Sequence, residues 1–281
     1  SSSAASDVYK RQGLPYDVVI ERLHVEEPEY DPPNQVPAEN FRITDDHLGE
    51  GGSKAKFRMN VDAIRTLQEI EAQGRSATPA EQEVLSRYVG WGGLADAFDP
   101  DKENWRAEYA ELKELLTPEE YEAARASTLN AHYTSPTVIH AMYEALENMG
   151  FESGNILEPS MGVGNFFGCL PESMQNSRLY GVELDSITGR IAKQLYPRAD
   201  ITVAGFETTD RRDFYDVAIG NVPFGQYQVN DRAYNRLGFS IHDYFFAKTL
   251  DQVRPGGVIA FVTSRYTCLL YTSDAADEED S

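Results

Sequence analysis

An asparagine closing an apolar run is the most chemically suggestive feature of the chain. Asn221-Val222-Pro223-Phe224 follow directly on Asp216-Val217-Ala218-Ile219-Gly220, a short stretch that reads as a buried strand. The asparagine side chain offers a carbonyl acceptor, the proline stiffens the turn and aims the carbonyl before it, and the phenylalanine supplies a stacking face. This is a device for holding a flat nitrogenous ring, and it places an active site at the end of a strand.

Two further segments add a ligand. Glu158-Pro159-Ser160-Met161-Gly162-Val163-Gly164-Asn165-Phe166 follows another apparent strand, and Gly162 and Gly164 let backbone approach a ligand closely. The N-terminus of the helix expected after this loop favours an anionic group such as a carboxylate. A third strand ends in Glu183, some twenty residues beyond the loop, where an acid can accept hydrogen bonds from ribose hydroxyls. The pair implies a nucleoside-bearing cofactor. NAD is one alternative, but the loop lacks the G-x-G-x-x-G spacing, its third glycine being Gly168, and a nicotinamide leaves Asn221 to Phe224 unexplained.

The elements that position these residues alternate. Strands are expected at Ile156 to Glu158, Leu179 to Glu183, Ile201 to Val203, Asp216 to Gly220 and Val258 to Val262, with helical periodicity between them. This predicts an α/β class with a Rossmann-like, doubly wound parallel sheet and ligands at the carboxyl ends of the strands. Ser135-Pro136 opens a helix with Val138, Ile139, Met142, Tyr143 and Leu146 inward. Upstream lies a helical region, residues 56–128, in which Asn60 is expected to cap a helix ending near Gly74. Thr78-Pro79-Ala80-Glu81 and Thr117-Pro118-Glu119-Glu120 there read as capping boxes. Tyr88-Val89-Gly90-Trp91-Gly92-Gly93-Leu94 is a glycine-rich turn whose tryptophan reads as core packing. Residues 13–55 mix many acids with prolines, among them Pro28, Pro32, Pro33 and Pro37, and are expected to form an extended arm.

Ser2 to Gln12 and Cys268 to Glu278 back-translate to a nucleotide stretch and its reverse complement in another frame. Residues 1–12 and 268–281 are therefore read as translated sequencing-library adapter, and Gly13 to about Thr267 as an internal piece of a longer open reading frame. The net charge of −21 then becomes −17, because the tail takes five acids with it and the head a net single positive charge. So acidic a field opposes unassisted binding to phosphate backbones. With Cys268 set aside, Cys169 stands alone and is expected in the core, which permits no internal disulfide and suits a reducing cytoplasm. No apolar stretch has the length of a membrane span, so a soluble protein is expected with no membrane partner. His132 and His242 lack companions at metal-ligand spacing, and no metal is expected. Glu111, Glu114, Glu119, Glu120 and Glu122 read as a solvated helical face.

As a set and in this order, the motifs resemble the S-adenosylmethionine-dependent, amino-directed DNA methyltransferases, above all the adenine-N6 enzymes. Glu158 to Phe166 resembles their cofactor loop, Glu183 their ribose acid, and Asn221 to Phe224 their Asn-Pro-Pro-Tyr/Phe motif. His132 to Pro136, with Tyr133 and Thr134, resembles the segment that folds over the methionine moiety. The resemblance covers about Asn130 to Thr267 and implies a C-terminally truncated methyltransferase domain over residues 129–267. It implies S-adenosyl-L-methionine as cofactor, DNA as substrate through parts largely outside this segment, and no activity for the segment alone. By the same resemblance, the Asn221 side chain and the Val222 backbone carbonyl accept from an adenine amine and Phe224 stacks on the flipped base. Gly51-Gly52, Phe57 to Asn60 and Tyr88 to Asp99 resemble the segment preceding the methyltransferase domain in large helicase-methylase fusions of bacterial conjugative and phage-like elements, which implies a helicase module in the same chain. Two departures stand out. Val222 replaces the first proline of the motif, and Gly205 stands where the family often has an Asp for the cofactor's adenine amine, with Phe206 and Glu207 next and Glu207 as its substitute. A catalytically degenerate fold that positions DNA or the helicase, and a protein glutamine methyltransferase, are the alternatives.

Overall fold

The computed structural model describes residues 38–263 apart from 46, 129–133 and 226. Both expected adapter ends, residues 13–37 of the expected arm, and His132 and Tyr133 lie outside the described residues.

The first helix among the described residues, α1 (Ser53–Ala72), takes the last three residues of the expected arm and starts seven residues before Asn60. Its apolar face begins at Phe57 and continues through Val61, Ile64, Leu67 and Ile70, and burying that stripe extends the helix upstream. Asn60 is therefore not a cap. It sits inside the helix at 0% exposure, and its side chain serves a distant turn, accepting from Val89 N at 2.9 Å and donating to Gly90 O at 2.6 Å. Both expected capping boxes form, opening α2 (Pro79–Ser86) and α4 (Pro118–Ser127), with α3 (Arg106–Leu115) between them. Glu111 accepts from Arg58 and Arg65, and Glu120 from Arg190, so these two acids join elements rather than form a purely solvated face. In α5 (Pro136–Asn148) the inward stripe is Ile139, Tyr143 and Leu146 with Met142 at its edge. Val138, expected inward, is 44% exposed because it stands about 100° round the helix from Ile139.

Five parallel strands follow: β1 (Asn155–Glu158), β2 (Arg178–Glu183), β3 (Asp200–Val203), β4 (Tyr215–Asn221) and β5 (Val253–Val262), in the order β3-β2-β1-β4-β5. The crossovers run through α6 (Asn165–Gly168), α7 (Ser186–Leu195) and α8 (Ile241–Gln252). This is the expected α/β, Rossmann-like class. The interior strand β4, paired on both sides, shows why its sequence reads as continuously apolar. Val217 and Ile219 join one buried cluster and Ala218 the other, as alternate side chains of a strand covered on both faces must.

The first cluster also contains the apolar faces of α1 to α5, so the helical region and one face of the sheet share a single core with no packing break near residue 128. Polar contacts reinforce this. Gln82 Nε2 donates to Gln194 O at 3.0 Å, and Arg190 of α7 pairs with Glu71 and Glu120 from two different helices. Cys169 is buried, as expected.

Candidate active site

Glu158, Glu183 and Asn221 end three neighbouring strands, β1, β2 and β4. Because β2 and β4 flank β1, the chain order reverses there, and a crevice opens at the carboxyl ends where such a sheet places ligands. A cleft of about 260 Å³ occupies it, lined by Thr134, Glu158, Gly162, Asn165, Phe166, Glu183 and the whole of Asn221 to Phe224 from the predicted set. Pro159 is buried just behind, and Gly164 shapes the loop without lining the cleft.

Gly164 has φ +86°, and a Cβ there would strike the Tyr196 ring, so both conformation and space exclude other residues. The loop folds over the end of β2. Met161 N donates to Val182 O at 3.0 Å, and Gly162 N donates to Glu183 Oε2 at 2.8 Å. Asp185 N supplies Glu183 Oε1 at 2.8 Å, so the carboxylate is held on both sides. Tyr143 Oη fixes Phe166 by donating to its carbonyl at 2.9 Å. One expectation fails: α6 is a single turn of four residues, too short to sum peptide dipoles into an anion site.

At the other wall, Asn221 Nδ2 donates to Thr134 Oγ1 at 3.1 Å, which assigns the amide nitrogen to the Thr134 side and the carbonyl oxygen to the opposite one. Val222 is 1% exposed in the cluster that includes Leu157, Ala218, Ile241 and Tyr244. Its buried side chain thus anchors the backbone that a proline ring would otherwise stiffen. Phe224 stacks on His242 with ring centroids 5.6 Å apart at 26°, and His242 in turn packs on Phe246.

Phe206 and Glu207 do not line the cleft. After β3 the chain drops into a short 3₁₀ turn, where Phe206 is buried and stacks on Phe245 at 4.9 Å. Glu207 is exposed, with its carboxylate folded over Gly205 in the space a side chain there would take.

The cleft is acidic. Burial, with Glu183 nearby, pushes the Glu158 carboxyl well above the usual range, and Glu158 Oε2 has no hydrogen-bond partner among the described residues. Burial pushes Glu183 up to about 7 against the opposing backbone donors of Asp185 and Gly162. Asp185 adds a third carboxylate, and among the described residues no Lys, Arg or His lines the space. Among the described residues no His, Cys, Asp and Glu group could hold a metal ion, and no helix is long and apolar enough to cross a membrane.

Sequence reasoning missed one wall. Tyr88, Val89, Gly90 and Trp91 line the cleft opposite the strand ends, with Ser127, Asp185 and Thr188 beside them. Trp91 is buried as expected, but it also faces the site, and the run of glycines around it was the available signal.

No family model matches the chain. It is 27% identical over 220 residues to the defense against restriction protein B of Escherichia phage P1, a match covering 76% of this chain and 8% of that protein. It is 34% identical over 92 residues to the type II methyltransferase M.CvrRI of Paramecium bursaria Chlorella virus XZ-6E, covering 33% of this chain and 24% of that enzyme. The chain thus spans less than a quarter of the length of either relative. Solved structures it resembles include an O-methyltransferase from Bacillus cereus in complex with S-adenosylhomocysteine, at 20% identity and a TM-score of 0.31 over 56% of this chain and 72% of that one.

Proposed function

We propose that this chain is the methyltransferase part of a longer DNA-modifying protein, transferring a methyl group from S-adenosyl-L-methionine to the N6 amine of adenine. The observation that carries the proposal is the Asn221 to Phe224 turn at the end of β4, with its amide oriented by Thr134 and its aromatic backed by His242. The similarity to M.CvrRI, a methyltransferase by name, agrees with it. In this reading residues 129–267 form the methyltransferase unit, the helical region supports it, and a helicase module belongs to the same protein.

The cleft fits the cofactor on charge. S-adenosylmethionine carries a net positive charge, and a lining in which Asp185 and Glu183 supply the negative charge, with no basic side chain among the described residues, favours a cation and opposes a dinucleotide's pyrophosphate. When bound, the cofactor supplies an electrophilic methyl carbon. Glu183, fixed by Gly162 N and Asp185 N, keeps lone pairs for ribose hydroxyls. Adenine's amine is a poor nucleophile because its lone pair is delocalised into the ring. Asn221 Oδ1 and the Val222 carbonyl accept its two N–H bonds and draw them from the ring plane, restoring the lone pair. Phe224 stacks on the base and sets the line of attack. With the cofactor bound, the nitrogen would gain the methyl carbon as that carbon's bond to sulfur breaks, the electron pair staying on the departing S-adenosylhomocysteine, and would release one proton to solvent.

The Glu183 carboxylate must be ionised to accept two hydroxyls. Affinity for S-adenosylhomocysteine is therefore expected to hold above about pH 7 and to weaken roughly tenfold per pH unit below it, read by calorimetric titration. Glu183→Gln should flatten the profile, and an unchanged profile would remove the assignment of Glu183. Folding stability runs the other way. A carboxyl raised in the fold stabilises it at acid pH, and that contribution fades as pH rises from the ordinary glutamate value toward about 7.

The substrate class is tested by incubating the longer protein that contains this chain with methyl-tritiated cofactor, DNA and bulk protein, then counting the separated pools. Label in the DNA pool is expected. Label confined to protein would replace the reading with glutamine methylation, and no label despite cofactor binding would support a degenerate fold.

A further inference from the structure

The Tyr88 to Trp91 turn belongs to the helical region, yet it closes the cleft over the nucleotide-side acids. Gly90 has φ +73°, a left-handed conformation that lets the chain reverse there, and Gly93 N donates to Thr128 O at 3.1 Å to close the bend. What fixes the turn is the Asn60 side chain, buried in the middle of α1, where a polar group has no local use and an unpaired amide would cost about 1–3 kcal/mol. It makes one bond to each of the two residues between Tyr88 and Trp91, at the Val89 N–H and the Gly90 carbonyl. The turn lines the cleft together with Glu183 and Asp185, and both carboxylates act electrostatically on the buried Tyr88 hydroxyl, whose proton burial holds on.

One donor in this wall has no close acceptor among the described residues. Trp91 is 2% exposed and lines the cleft, and its indole nitrogen has no hydrogen-bond partner within 3.5 Å among the described residues, with the Tyr88 hydroxyl a polar neighbour at longer range. A buried N–H without an acceptor is unfavourable unless a ligand supplies one.

Resting on the cofactor reading above, we propose that the Asn60-pinned Tyr88 to Trp91 turn is a second half of the cofactor site, in which the Trp91 indole N–H donates to an acceptor atom of the bound nucleoside cofactor. Trp91 is then a binding residue and Asn60 a positioning residue. The helical region completes the pocket instead of merely covering one face of the sheet.

The chain has two tryptophans, Trp91 and Trp105, which gives a direct probe. Trp105 meets Phe57 edge-to-face at 5.9 Å and does not line the cleft. In the Trp105→Phe protein all tryptophan emission comes from Trp91, and titrating S-adenosylhomocysteine should change it saturably. In Trp91→Phe, where only Trp105 emits, the same titration should leave the emission flat, and calorimetry should show Kd raised about tenfold, the effect of one hydrogen bond. Phe98→Leu is the packing control, because Phe98 touches the Trp91 ring at 5.3 Å without lining the cleft. It should lower Tm and leave Kd within twofold. Asn60→Ala should raise Kd as Trp91→Phe does, while Asn60→Asp, which keeps the acceptor for Val89 N, should recover part of the loss. Unchanged emission from Trp91 on ligand saturation, or an unchanged Kd in Trp91→Phe, would overturn the proposal while leaving the cofactor reading intact. Absence of binding by the unaltered protein would overturn both.

Discussion

Replacing Asp231 with alanine is expected to destabilise the folded chain by about 3–5 kcal/mol. Lys248 is 4% exposed and Asp231 9%, and their Nζ and Oδ2 lie 2.7 Å apart. Burial would raise the Asp231 carboxyl, but the bonds from Lys248 and Tyr244 outweigh it and hold it below the usual aspartate value. Removing the carboxylate leaves an ammonium in a low-dielectric pocket with the Glu207 carbonyl, at 3.1 Å, and the faces of the Phe206, Tyr234 and Tyr244 rings, at 5.4, 5.8 and 5.8 Å, as uncharged partners. Tyr244 loses its acceptor as well. The effect reaches the site, because Asp231 ties the segment after Phe224 to α8, the helix that carries His242. Urea denaturation measures the loss. Asp231→Leu combined with Lys248→Met should recover most of it, since two apolar groups leave no charge to solvate. A single-variant cost below about 1 kcal/mol would show that the pair is solvated in the folded chain.

Asn221→Ala is expected to lower methyl transfer by roughly 10²–10³-fold, the usual penalty for removing one preorganised hydrogen-bonding group from a transition state. Cofactor affinity should stay within twofold, because Asn221 belongs to the wall that meets the acceptor base and the nucleoside half of the cleft is built from Glu183 and the Tyr88 to Trp91 turn. A loss confined to turnover therefore separates this residue from Glu183 and Trp91, whose variants should act on binding. If Asn221→Ala instead abolishes cofactor binding and leaves turnover of saturated enzyme unchanged, the turn is a cofactor element and the acceptor amine is held elsewhere.

The strands, both capping boxes and most of the cleft residues were legible because each rests on a local rule. Continuous apolar runs gave the strands, Thr-Pro-x-Glu gave the caps, and strand ends gave Glu158, Glu183 and Asn221. What escaped depends on contacts between residues far apart in the chain. Asn60 looked like a cap because asparagine favours helix starts, and nothing near it announced a partner 29 residues away. Trp91 read as core, and burial alone could not reveal that the same residue borders the cleft. The glycine loop promised a helix dipole, but only one turn follows it. Val222 looked like a weakened proline, whereas its side chain is locked by the cluster between the sheet and α8.

Nucleoside analysis of methylated DNA tests the central claim most directly. DNA incubated with the longer protein that contains this chain and with S-adenosylmethionine, digested and resolved by mass spectrometry, should contain N6-methyl-2′-deoxyadenosine, and DNA treated with its Asn221→Ala variant at saturating cofactor should contain at least a hundredfold less. Equal yields from the two proteins, or methylation found only on another base, would contradict the account.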